Sequence, residues 1–248
     1  MRNIKAIFKK QFKGTIKNPE ILMQFIIFPL LAFVMNMFAV PNFDVEGIPP
    51  EIAEMLGANM PNMVTMMATI FAGMGLITVT AGIVSEDMER KSLRFLMMAG
   101  MKPMSYLIGV SSVVLLVSFL TSVAFSLIGG FTGADFWIFT AAMMSGVTGS
   151  IVLGATIGIL TASNQSASAL ALPVAIILGF GPMMAQFNDT AARVLHIFYT
   201  QQLNLVADYL THGATGTPLW QSFAIIWGNV AVLGVLFAIA YSKKGMKG

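Results

Sequence analysis

Cysteine is absent from this chain, and charge is scarce: of 248 residues, 10% are Asp, Glu, Lys or Arg and 56% are hydrophobic. The first absence excludes disulfides, thiolate nucleophiles and thiolate metal ligands. The second leaves less than half of the ~25% charge usual in soluble domains, so the chain reads as an integral membrane protein. The net charge is only +3. Basic residues flank apolar runs and no soluble segment is long enough to carry a basic face, which argues against nucleic-acid binding.

Catalytic signatures are missing as well. No Gly-x-Ser-x-Gly, His-Glu-x-x-His or pair of intramembrane carboxylates occurs, which sets a membrane-embedded enzyme aside. There is no Gly-x-x-x-x-Gly-Lys-Ser/Thr phosphate loop, so any ATP must be handled by another chain. His196 and His212 stand far apart, and no metal site is expected from them. Met60, Met63, Met66 and Met67 offer thioethers at helical spacing to Cu(I), yet no His or Cys supports them and Met commonly serves as pliable apolar filler. Asn188-Asp189-Thr190 matches the glycosylation triplet, which matters only in a eukaryotic secretory pathway.

What is present is a series of apolar runs. Residues 1–18 place Ile4, Ile7, Phe8, Phe12 and Ile16 opposite most of Lys5, Lys9, Lys10, Lys13 and Lys17, the pattern of an interfacial amphipathic helix whose cations suit anionic lipid. Spans are expected at 21–40, 63–84, 106–128, 136–160, 169–184 and 219–241, each judged against the ~20 residues that cross a bilayer. The fifth, interrupted by Pro173 and closed by Gly181-Pro182, is too short to reach both faces unaided. Acidic residues and Pro49-Pro50 mark an outer loop before Asn62, and residues 186–217 read as one or two interfacial or re-entrant helices. On the fourth span Gly146, Ser150, Gly154, Gly158 and Ala162 form a small-residue stripe, a helix-packing signal in lipid.

Thirteen of the fourteen Lys and Arg residues fall on the side that holds both termini and the segment 85–103; Arg193 alone lies opposite. The positive-inside rule therefore places the termini in the cytoplasm. No acid, base or His sits in the middle third of a span, whereas ion-coupled carriers normally keep such a group there. Secondary transport remains the alternative function, together with a non-transporting immunity or scaffold protein.

The segment 85–103 is the one dense block of charge between the termini. Glu86 with Arg90 and Asp87 with Lys91 are acid-then-base pairs at i, i+4, while Leu93, Leu96 and Met97 form an apolar set. The run Ser85-Glu86-Asp87-Met88-Glu89-Arg90-Lys91-Ser92-Leu93-Arg94-Phe95-Leu96, followed by the break Ala99-Gly100-Met101-Lys102-Pro103, resembles the loop between spans two and three in permease subunits of type-2 class ABC exporters, of the type V fold. Lys91 stands where that family often has Gly, and Arg94 where many members have Glu.

The resemblance extends over the whole layout and implies an all-α membrane fold. Its parts would be six transmembrane helices, an N-terminal interfacial helix, a cytoplasmic coupling helix between spans 2 and 3, and extracellular re-entrant helices between spans 5 and 6. It further implies that Glu86, Asp87, Glu89, Arg90, Lys91, Ser92, Leu93, Arg94 and Leu96 couple the permease to a separate nucleotide-binding (ATPase) subunit, which carries ATP and Mg, while this chain binds no cofactor. A second permease copy, or a homologous permease, would pack alongside in the plasma membrane. The pathway between them, for a drug, antimicrobial peptide, lipid or glycolipid, has Gln24, Asn36, Thr65, Thr69, Thr78 and Thr80 as candidate polar lining. Each of these side chains equally suits a hydrogen bond to a neighbouring helix, worth ~0.6 kcal/mol on average.

Overall fold

A computed structural model describes residues 8, 11–15, 17–39, 63–213 and 217–245. The expected outer loop before Asn62, Met60 and most of the lysine-rich N terminus lie outside the described residues. Within them every regular element is helical. The helices are α1 (Pro19–Ala39), α2 (Met63–Glu89), α3 (Ser92–Met98), α4 (Pro103–Ile128), α5 (Gly133–Leu160), α6 (Asn164–Phe187), α7 (Asp189–Leu195), α8 (Tyr199–His212) and α9 (Leu219–Gly245). Among the described residues, α2, α4, α5, α6 and α9 are long and apolar enough to cross a membrane, and α1 contributes a shorter apolar stretch, Ile21–Met37. Helices suit such a sequence because they satisfy every backbone polar group internally, which lipid cannot do.

Local chemistry sets the ends. Pro103 opens α4 at a position where its missing N–H costs nothing, after an extended Lys102. The Ser163 side chain accepts the Ser166 N–H while the Ser166 hydroxyl accepts the Ser163 N–H, a capping box that starts α6. At the head of α7 the Asn188 carbonyl oxygen accepts from the N–H groups of Thr190 and Ala191.

Two expectations are corrected, and one feature was not anticipated. The fifth span is not short: α6 runs 24 residues from Asn164 to Phe187, straight through Pro173 and Pro182. The polar segment before Ala169 supplies its capped first turns. The charged block is not one helix. Its first part, through Glu89, is the end of α2, and the chain then breaks at Arg90 and Lys91 before the seven-residue α3. Finally, α2 is not a uniform α-helix: residues Phe71–Gly75 form a π-helical turn, in which the Leu76 N–H donates to the Phe71 carbonyl five residues back.

The centre of the bundle is the pair α2 and α5. The small-residue stripe makes the contact: a Cβ added at Gly154 would lie 2.6 Å from the Ile77 carbonyl oxygen, and one at Gly158 would lie 2.7 Å from that of Ala81. Higher on the same helix, Gly146 faces Leu203 and Tyr199 of α8, so the stripe serves two partners. Ala162 falls beyond the end of α5 and is exposed. Around the π turn, Phe71 packs against Phe25 and Phe28 of α1 and Phe125 of α4, with ring centroids 5.6, 5.9 and 5.8 Å away.

Candidate functional site

The charged block is fastened to the bundle at four points. Asp87 is 4% exposed. Its carboxylate accepts from Gln11 Nε2 at 2.9 Å, from the Tyr106 hydroxyl at 3.0 Å and from the Ser92 hydroxyl at 3.0 Å. One carboxylate thus joins the N-terminal helical turns, the start of α3 and the first turn of α4 to the end of α2. Charge-assisted bonds of this kind are roughly twice as strong as neutral ones.

The second point is Glu89, whose Oε2 accepts the Asn164 backbone N–H at 3.1 Å, one of the unsatisfied donors at the head of α6. Asn164 Oδ1 in turn accepts from the Ser85 hydroxyl at 3.3 Å. At the third, the Tyr241 hydroxyl on α9 donates to the Met101 carbonyl at 3.0 Å, closing the turn after α3. The fourth is apolar: Leu93 is fully buried, and Leu96 and Met97 pack half-buried against the core.

Of the expected ion pairs, Glu86 with Arg90 forms at 2.6 Å on an exposed face. Lys91 leaves the helical register, with φ at 59°, so the Asp87 and Lys91 side chains do not share a helix face, and Asp87 turns inward instead. That conformation costs an L-residue roughly 1–2 kcal/mol and glycine almost nothing, a physical reason for glycine at this position in the resembled family. Asp87 and Leu93 are therefore buried and Ser92 half-buried, and they hold the segment in place. The exposed side of the segment carries Arg90 and Lys91 together with Phe95 and Met98, which are 66% and 72% exposed. Sequence reasoning missed those two, although their offset from Leu93 and Leu96 places them on the other face of α3. The Arg94 side chain is outside the described set.

The candidate pathway residues do not converge. Thr65, Thr69 and Thr80 are buried inside the bundle, and the Thr69 hydroxyl donates to the Thr65 carbonyl of its own helix. Thr80 sits under Gly154. Asn36 Nδ2 donates to the Ile128 carbonyl at 3.3 Å, tying the far ends of α1 and α4. The Thr78 hydroxyl is shared between the Met74 and Gly75 carbonyls of the π turn, at 3.0 and 2.9 Å. Gln24 is half-buried near Gly75. For three of the six, Asn36, Thr69 and Thr78, a hydrogen bond within the chain accounts for the polar side chain.

A second junction, which sequence reasoning did not find, surrounds the π turn. The Ser150 hydroxyl donates to the Ala72 carbonyl and accepts from the Tyr199 hydroxyl at 2.8 Å, so α2, α5 and α8 meet at one oxygen halfway along α5. On the other side, Gly73 lies against Gly179 of α6 so closely that a Cβ would fall 2.7 Å from the Gly179 nitrogen.

The model of the ABC-2 type transporter family matches residues 2–201. The chain belongs to the ABC-2 family. The match takes in the N-terminal turns, the charged block, the α2–α5 contact and the chain as far as the start of α8. ABC-2 domains are the membrane component of ABC transporters and work with a separate ATPase subunit. A comparison with curated proteins finds no match.

In this ABC-2 protein the clamp around Asp87 is a stability element. Asp87→Ala leaves the Gln11, Ser92 and Tyr106 donors without their shared acceptor and is expected to cost about 2–3 kcal/mol, with Asp87→Asn milder because it retains one acceptor oxygen. Thermal unfolding of the purified protein checks the order.

Proposed function

We propose that this chain is the transmembrane half of an ATP-driven exporter in which a cytoplasmic ATPase subunit docks on α3 and moves α2 and α6 through it. The observation that carries the reading is the pairing of an outward apolar surface, Phe95 and Met98, with an inward clamp at Asp87, Glu89 and Tyr241. A push on α3 is passed to the end of α2 by Asp87, to the head of α6 by Glu89 and to α9 by Tyr241. Both termini face the cytoplasm, a placement that the distribution of Lys and Arg supports, and ATP with Mg is held by the partner.

Six helices cross in this reading, with α1 as the first. The helices α7 and α8 enter from the outer face, and the contact of Tyr199 with Gly149 and Ser150 in mid-α5 supports a re-entrant placement shielded by protein. The pathway lies between two permease copies, along the exposed apolar side chains of α1 and α6, among them Ile27, Leu30, Ile176 and Phe180, with Gln24 beside them. Walls without charge suit a hydrophobic or amphipathic cargo, carried outward.

The test is co-purification with the ATPase subunit. Phe95→Asp with Met98→Asp replaces two exposed apolar anchors, each worth ~1.5–3 kcal/mol when buried, so retention of the ATPase should fall at least ~100-fold. Thermal unfolding of the permease alone should stay unchanged. Undiminished retention would remove α3 as the docking element.

A further inference from the structure

A cleft that the coupling scheme does not use lies between the N-terminal helical turns and the charged end of α2. Its main lobe, about 370 Å³, has Gly14, Thr15, Lys17 and Ile21 on one side and Ile83 and Arg90 on the other. An adjoining lobe of about 320 Å³ adds Lys13. Both acids in the walls are engaged: Glu86 by Arg90, and Asp87 by Gln11, Ser92 and Tyr106. Lys13 and Lys17 both line the adjoining lobe.

Thr15 supplies an independent sign of a ligand. It is 2% exposed, belongs to the wall of the cleft, and its hydroxyl has no hydrogen-bond partner. A buried hydroxyl without a partner is costly, and a ligand oxygen would relieve that cost. Gly14 lines both lobes, with open space at the position a Cβ would take. The remaining wall pairs an apolar part, Pro19, Ile21 and Ile83, with the polar side chains of Gln11, Asn18 and Glu86. Two cations and a hydroxyl donor beside an apolar exit match a phosphodiester attached to acyl chains better than a free anion, for which the apolar side offers nothing.

We propose that this cleft binds the headgroup phosphate of an anionic phospholipid, wedged between the N-terminal turns and α2, with Lys13, Lys17 and the Thr15 hydroxyl on the phosphate oxygens. The in-cell source of the lipid, the inner leaflet, rests on the orientation proposed above; the site itself does not. Occupancy would fix the N-terminal turns against the helix that ends in the coupling segment.

The experiment is native mass spectrometry of the full chain in detergent, titrated with phosphatidylglycerol, phosphatidylcholine or inorganic phosphate. Detergent has no sidedness, so a reversed topology leaves this result untouched while a wrong site does not. The wild-type protein should retain phosphatidylglycerol over phosphatidylcholine, with inorganic phosphate competing weakly. Lys13→Gln with Lys17→Gln should weaken phosphatidylglycerol about fivefold per lysine. Thr15→Val, which leaves the charge unaltered, should weaken it as well, and Lys243→Gln with Lys244→Gln should have no effect. Equal retention of the two lipids, an equal loss in the Lys243/Lys244 control, no loss in Thr15→Val, or tight binding of inorganic phosphate alone would each overturn the proposal.

Discussion

Gly154→Leu is expected to prevent the bundle from assembling. The Cβ it introduces falls 2.6 Å from the Ile77 carbonyl oxygen and 3.2 Å from the Ala81 nitrogen, both backbone atoms in a helix that cannot yield locally. Overpacking against movable side chains costs ~1–3 kcal/mol; here the obstacle is main chain, so the cost lies at or beyond the top of that range. Membrane helices associate through close packing, so forcing α5 away from α2 removes the main attraction between them. Gly228→Leu is the control, since nothing lies within 4 Å of a Cβ there. Gly154→Leu should give little monodisperse protein on size exclusion and a collapsed thermal transition, whereas Gly228→Leu should match the parent. If the two variants behave alike, the seat of α5 on α2 is wrongly placed.

Glu89→Lys combined with Arg90→Glu is expected to abolish the ATPase activity that the permease stimulates, while membrane insertion continues. Glu89 is the acceptor at the head of α6, and a lysine there exchanges a favourable carboxylate for a cation against the positive end of the helix dipole. On an exposed surface each such interaction is worth ~0.3–1 kcal/mol, too little to unfold the protein. The same change opens the Glu89–Asn164 link between the end of α2 and the head of α6. Arg90→Glu also breaks the 2.6 Å pair with Glu86 and reverses the charge beside the proposed docking face. ATP turnover of the reconstituted complex, measured beside membrane yield, separates the effects; unaltered transport in the double variant would end the coupling role of this segment.

The sequence patterns located features that chemistry imposes residue by residue. Charge scarcity identified a membrane protein. The Gly154 and Gly158 stripe identified a helix contact, and Glu86 with Arg90 a surface pair. Features that depend on two distant segments were not legible. Pro173 read as an interruption and Pro182 as the end of a span because proline breaks isolated helices, yet neighbouring helices support a continuous α6. Asp87 read as a surface charge because its partners Gln11 and Tyr106 lie 76 and 19 residues away. The threonines read as pathway lining because a hydroxyl that bonds its own helix, as Thr69 does, has the same sequence appearance as one facing a channel. Phe95 and Met98 were hidden for another reason: Leu93 and Leu96 were the apolar side chains assigned to the ATPase subunit, and only the break at Lys91 fixes which face of α3 is outward.

The π turn at Phe71–Gly75 fits one more residue into α2 than a regular α-helix would hold over the same height. One residue is ~100° of helical rotation, so the two halves of α2 run out of phase by that angle. The compass bearing of the charged tip is therefore decided in the middle of the helix. Fourteen residues and ~21 Å separate Gly75 from Glu89, and with this offset the lower half turns Asp87 toward Tyr106 and Glu89 toward Asn164 while Gly73, within the turn itself, stays on Gly179. A shift of the extra residue along the helix would act as a rotary gear, turning the residues it passes by a quarter revolution without unfolding them.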